Sequence, residues 1–110
     1  MNTRKYSSSQ EKKVAKKVGG KQVANSGATA FHKGDVRTNQ FLIECKTSTK
    51  EVKSVRIQKD WLDKIDEEAF AMNKPYSALA FDFGEYESEQ YFIINESLFR
   101  QLQTYLEEQL

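Results

Sequence analysis

Ile57, Trp61, Leu62, Ile65, Ala69 and Met72 recur at a spacing that brings them together only on a helix. Asp60, Asp63, Lys64, Asp66, Glu67 and Glu68 fall on the other side. The pattern predicts an amphipathic helix of roughly four turns whose apolar stripe must lie on an apolar surface. Asn73-Lys74-Pro75 ends it, because proline disfavours helix at the residue before it. Short apolar runs on either side of the helix supply that surface. Phe41-Leu42-Ile43-Glu44-Cys45-Lys46 precedes it, and Ser77-Ala78-Leu79-Ala80-Phe81-Asp82-Phe83 follows. In the second run Leu79, Phe81 and Phe83 share one face of a strand, while Ala78 and Ala80 leave room on the other for a closely packed helix. Trp61 is expected in the core rather than as a base-stacking platform.

Upstream, residues 1–9 are polar, with Arg4 and Lys5, and read as a flexible basic arm. Ser7–Ser9 offer N-caps for a helix in which Val14, Ala15 and Val18 form a thin apolar stripe and Lys12, Lys13, Lys16 and Lys17 face outward. Gly19-Gly20 stops that helix, and a short strand is expected around Gln22–Ala24. Downstream, residues 84–89 form a turn, and Tyr91-Phe92-Ile93-Ile94 is a returning strand. Asn95 or Ser97 then caps a last helix carrying Leu98, Phe99, Leu102, Tyr105 and Leu106. The order is α-(β)-β-β-α-β-β-α, an α/β fold with a mixed sheet flanked by helices, in one domain spanning residues 10–110.

Charge is distributed unevenly along this frame. The chain carries a net charge of +1. Residues 1–59 hold fourteen Lys/Arg against four Asp/Glu, and residues 60–110 hold three against twelve, so +10 and −9 nearly cancel. A basic half attracts polyanions through phosphate neutralisation and counterion release. No run approaches the ~18–20 apolar residues of a membrane span, and no apolar signal region opens the chain. A cytoplasmic protein is expected. The single cysteine cannot form an internal disulfide, and Cys45 with the lone His32 is too little for a zinc site.

The basic half also holds the residues that suggest chemistry. In Phe41–Lys46, alternation sends Leu42, Glu44 and Lys46 to one face, with Glu44 and Lys46 roughly 6.7 Å apart at strand rise. Lys33-Gly34-Asp35-Val36-Arg37 precedes this run across the polar break Thr38-Asn39-Gln40, which suggests a hairpin. A two-residue loop at Thr38-Asn39 pairs Arg37 with Gln40 and Asp35 with Leu42. Asp35 and Glu44 are then diagonal neighbours on one face, roughly 7–8 Å apart. A four-residue loop is expected to preserve this pairing, and a three-residue loop to send Asp35 to the opposite face. Two carboxylates and a lysine at a strand end suit phosphodiester hydrolysis with Mg²⁺, which takes hard oxygen ligands, keeps several waters and accepts phosphate oxygens. A surface aspartate in a turn beside an ordinary cross-strand ion pair, such as Lys33 with Glu44, is the plain alternative. The loop Asn25-Ser26-Gly27-Ala28 is either a phosphate contact or only a turn.

Taken together, these residues resemble the PD-(D/E)XK, or restriction-endonuclease-like, nucleases, and within them the small Holliday-junction resolvases of archaea and phages. The likeness runs from about Ser9 to Phe83: a leading helix with Glu11, the Ser26 loop, Gly34-Asp35-Val36, Ile43-Glu44-Cys45-Lys46, then an amphipathic helix entering a buried strand. Gly34-Asp35 stands where the motif name has Pro-Asp. The resemblance implies that Asp35, Glu44 and Lys46 are catalytic, with Glu11 contributing to the metal site. It implies Mg²⁺, replaceable by Mn²⁺, on Asp35, Glu44, Glu11 and the backbone carbonyl of Cys45. It also places Ser26 near the site and implies a homodimer, because symmetric cutting of a four-way junction takes two sites at fixed separation.

The resulting expectation is a Mg²⁺-dependent, structure-selective DNA endonuclease, a junction resolvase of recombination, repair or phage DNA processing. Lys12, Lys13, Lys16, Lys17, Lys33, Arg37, Lys50 and Lys53 are expected on phosphates, and Gln58 near the site. The alternatives are a nuclease for nicked, flapped, single-stranded or restriction-site DNA, a catalytically silent nucleic-acid-binding module, and an adaptor whose acidic half meets a basic protein.

Overall fold

The computed structural model describes residues 3–23, 34–84 and 89–110, with side chains from residue 9 onward. Ser26, His32, Lys33, the loop at 25–28 and most of the turn at 84–89 therefore lie outside the described residues. The elements are α1 (Thr3–Val18), β1 (Lys21–Gln22), β2 (Val36–Arg37), β3 (Phe41–Lys46), α2 (Lys59–Ala71), β4 (Tyr76–Phe81), β5 (Tyr91–Ile93) and α3 (Glu96–Glu108). The strands form one sheet in the order β1-β2-β3-β4-β5. Only β3 and β4 run parallel, joined through α2, and the other neighbours are antiparallel. This is the mixed-sheet α/β class with the expected element order.

The two sheet faces have different covers. On one, Val14 and Ala15 of α1 pack on Val36, Ile43, Ala78 and Ala80. The two alanines let the helix come close, as their size suggested. On the other, Ile65 and Ala69 of α2 pack with Leu42, and Leu79 between the two alanines is fully buried. Ile57 falls before α2 and Met72 becomes its C-cap. No helix among the described residues is long and apolar enough to cross a membrane.

The start of α1 corrects the sequence reading. The backbone is helical from Thr3, so Ser7–Ser9 are interior to α1 rather than caps. Nothing between Thr3 and Val18 is glycine or proline, and once a helix is nucleated each further residue adds a hydrogen bond. The helix stops where expected: Gly20 N–H donates to the Ala15 carbonyl at 2.8 Å and Gly19 N–H to Lys16 at 3.4 Å. That double bond from the two glycines closes the last carbonyls of a helix end.

Candidate functional site

β2 pairs with β3 as Val36 opposite Ile43 and Arg37 opposite Leu42. The loop is therefore of the four-residue kind, and the pairing of Arg37 with Gln40 and Asp35 with Leu42 is not found. Thr38 explains the wider loop: its N–H donates to the Phe41 carbonyl, and its Oγ1 accepts the Phe41 N–H, both at 3.0 Å. Continuing the ladder would set Asp35 opposite Glu44 rather than diagonal to it. Instead the Asp35 N–H goes to the Ile43 carbonyl at 2.9 Å, one residue out of step, and the ladder breaks there. A step of this kind at a strand end re-aims a side chain.

The Asp35 carboxylate is re-aimed onto the edge of β3. Its Oδ2 accepts the Cys45 N–H at 2.8 Å. A strand residue sends its N–H and C=O to the same edge, so the Cys45 carbonyl also leaves β3 toward Asp35. Gly34 makes the approach possible. Its φ is +71°, and a Cβ there would meet Leu42 Cγ at 2.8 Å and Ile65 Cδ1 at 3.1 Å. Proline, held near φ of about −65°, cannot adopt this backbone.

Glu44 and Lys46 stand side by side on the α2 face, Nζ to Oε2 at 3.4 Å. The Lys46 ammonium also lies 4.5 Å from the ring centre of Trp61 on α2. Trp61 is thus only partly buried and borders the site, where a core position was expected. In the parallel register Lys46 is the strand partner of Phe81. An ion pair, a cation–π contact and short reach together hold this lysine at the strand end.

Cys45 reports how much negative charge converges here. Its thiol is pushed well above the ordinary range, first by burial and then by the carboxylates of Asp35, Glu11, Glu44 and Asp82. All three acidic residues named from the sequence therefore act on this thiol, with Asp82 in addition. Among the described residues, no group of three or more His, Cys, Asp and Glu side chains is gathered tightly enough to hold a metal ion.

A buried polar network braces this end of the sheet, and the sequence reading missed it. Gln10, almost wholly buried, donates from Nε2 to the Lys46 carbonyl at 2.8 Å, the Ala80 carbonyl at 3.3 Å and Gln90 Oε1 at 3.0 Å. Gln90 Nε2 donates to Asp82 Oδ2 at 2.8 Å. Asp82 Oδ1 accepts from Thr47 Oγ1 at 2.6 Å and from Gly84 N–H at 3.1 Å. One chain of contacts thus ties α1, the ends of β3 and β4, and the approach to β5. The available signal was Asp82 itself, a charge inside the apolar run Leu79–Phe83, since a buried charge demands partners.

The expected phosphate contacts are spread widely. Lys12, Lys13, Lys16 and Lys17 are exposed along the outer side of α1, and Arg37 is exposed opposite Leu42, about 13 Å along β3 from Lys46. Lys50 and Lys53 are exposed on the segment that leaves Lys46 and crosses the end of β4, where Val52 N–H bonds the Phe83 carbonyl at 2.7 Å. Gln58 is the exposed N-cap residue of α2, one turn before Trp61, and makes no side-chain cap bond. Comparisons with protein-family models, with curated proteins and with solved structures found no significant match for this chain.

Proposed function

We propose that the chain is a divalent-metal-dependent DNA endonuclease of the restriction-endonuclease-like kind, acting on branched DNA as a homodimer. One observation carries the reading: the Asp35 carboxylate is turned onto the edge of β3 at Cys45, immediately beside the Glu44–Lys46 pair. The donor set suits Mg²⁺, which binds through one or two carboxylates, takes carbonyl oxygen and keeps its remaining positions for water and phosphate. Asp35, Glu44 and the Cys45 carbonyl are the residues to hold it, with Glu11 adding negative charge from α1. When bound, the ion supplies a Lewis acid and a water of lowered pKa at the phosphate.

The chain's own residues do the rest. Lys46, an ammonium with donors only, neutralises charge on a phosphate oxygen or orients the attacking water while Glu44 keeps it in place. Gln10, through the Lys46 carbonyl, fixes the strand end on which both residues stand. The exposed lysines of α1 and of residues 50–53 contact backbone phosphates on either side, a sequence-independent mode that fits selection by DNA shape. Two copies are needed because symmetric cutting of a junction takes two sites.

The test is cleavage of a synthetic four-way junction against linear duplex of equal length, in Mg²⁺, with wild type and Asp35→Asn. The junction is expected to be cut preferentially, and the variant to lose at least about 100-fold in rate while retaining fold and DNA binding. Equal cutting by Asp35→Asn removes Asp35 from the mechanism. Binding without cleavage in Mg²⁺ or Mn²⁺ makes the chain a DNA-binding module.

A further inference from the structure

Two exposed cations face each other across the first two strands of the sheet. Lys21 of β1 is the direct partner of Arg37 of β2, and Arg37 is in turn the partner of Leu42 of β3. Direct partners share a face. Lys21 and Arg37 therefore belong to the face on which Leu42 packs against α2, the face that also carries Glu44 and Lys46. Like charges directly opposite each other weaken a strand pair. Neither cation has an acidic partner among the described residues. A neutral or oppositely charged pair would hold β1 on β2 better, so folding does not explain these two charges. Beside them lies a cleft of about 510 Å³, lined by Lys21, the Gly19-Gly20 turn and the hairpin residues 37–41. No acidic residue lines it, and Asn39 and Gln40 add amide side chains. Lys74 Nζ donates to the Thr38 and Asn39 carbonyls at 2.7 and 3.2 Å, which pins the hairpin and brings a third positive charge to it. Nothing stands within 4 Å of where a Cβ on Gly19 would be, so the glycine wall is open.

We infer that this cleft is a second phosphate site, in which Lys21 and Arg37 together hold a backbone phosphate of the DNA strand that reaches Lys46. An anion between the two cations turns their mutual repulsion into attraction to a shared partner. The guanidinium offers a planar fork to phosphate oxygens and the ammonium a point charge, so the pair is chemically complete for one phosphate. Its place fits a single strand. Arg37 lies about 13 Å from Lys46 along β3, on the same face. DNA carries a phosphate for every ~3.4 Å of rise on each strand, so a backbone anchored at Lys46 brings others across that distance. The sequence pointed to Arg37 alone, and the strand register supplies Lys21 and the cleft. This inference rests on the DNA substrate of the proposed function and adds a second point at which the strand is held, but its test needs neither metal nor cleavage.

The experiment is an amide NMR titration of the full chain without Mg²⁺, using a short DNA duplex and, separately, inorganic phosphate. Saturable shifts are expected at Gly19, Gly20 and residues 38–41 with the duplex, at far lower concentration than with phosphate. Two variants then separate binding from folding. Arg37→Gln is expected to weaken duplex binding about five- to tenfold at 0.1 M salt and to lower the slope of log binding constant against log salt by about 0.9. Lys21→Glu sets a carboxylate opposite Arg37, so it is expected to weaken binding at least as much while keeping or raising the urea midpoint. A purely structural pair would not give that opposition. Duplex binding that leaves the cleft amides unshifted overturns the inference. So do shifts produced by inorganic phosphate but not by the duplex, which make this a free-phosphate site. So does Lys21→Glu with wild-type affinity, or with a lowered urea midpoint. Binding at the cleft by a protein that never cuts in Mg²⁺ counts against the nuclease reading alone, and junction cleavage by a Lys21→Glu variant of undiminished affinity counts against the cleft alone.

Discussion

Gln10 is the residue whose removal tests most of the site's architecture at once. Its amide carries two N–H bonds and faces three acceptors, the carbonyls of Lys46 and Ala80 and the side-chain oxygen of Gln90. Gln10→Leu keeps nearly the same volume and removes both donors. Two buried hydrogen bonds are then lost, and their oxygens stay in a space with little water, at about 1–2 kcal/mol each. The expected destabilisation is about 2–4 kcal/mol, a large part of the 5–15 kcal/mol typical of a domain. With a urea m-value of about 1.5 kcal/mol/M, the unfolding midpoint falls by roughly 1.3–2.7 M. Because the same amide holds the Lys46 carbonyl, cleavage measured below the transition should fall as well. A double-mutant cycle with Gln90→Leu should show coupling of at least about 0.5 kcal/mol, since the two amides share one bond. If Gln10→Leu unfolds within about 0.5 kcal/mol of wild type, those carbonyls are not held by this side chain and the bracing argument fails.

Cys45 gives a pH prediction whose sign follows from the raised folded-state pKa of its thiol. Below the unfolded value of about 8.5 both states are protonated; above it the unfolded state releases a proton that the folded state keeps. Stability should therefore fall with rising pH above ~8.5, by up to about 1.4 kcal/mol per pH unit, and a wild-type-minus-Cys45→Ala difference in urea stability isolates the term. The same thiol should resist alkylation at neutral pH until the protein unfolds. Gly20→Ala would place a Cβ 2.5 Å from the Arg37 carbonyl, forcing β1 from β2, and should cost about 1–3 kcal/mol by thermal unfolding. Lys12→Ala and Lys50→Ala should each reduce the slope of log binding constant against log salt by about 0.7–0.9, measured on one DNA junction.

Much of the fold was legible because periodicity encodes faces. The stripe from Trp61 to Met72 specified a helix, Phe41–Lys46 and Ser77–Phe83 specified strands, and Ala78 and Ala80 specified which face would accept a helix closely. Glu44 and Lys46 were placed side by side by alternation alone, since that relation lies within one strand. The start of α1 was not legible, because Ser7–Ser9 cap a helix or continue one equally well without knowledge of what precedes them.

The residues alone determined element order, the apolar faces and the pairing of Glu44 with Lys46, all consequences of local geometry over a few positions. Tertiary structure decided the out-of-step bond that turns Asp35 onto Cys45, the placing of Trp61 beside Lys46, and the Gln10–Gln90–Asp82 chain across 80 residues. These depend on distances between elements remote in sequence, fixed by how volumes pack and which buried polar atoms must find partners, and no repeat along the chain records them.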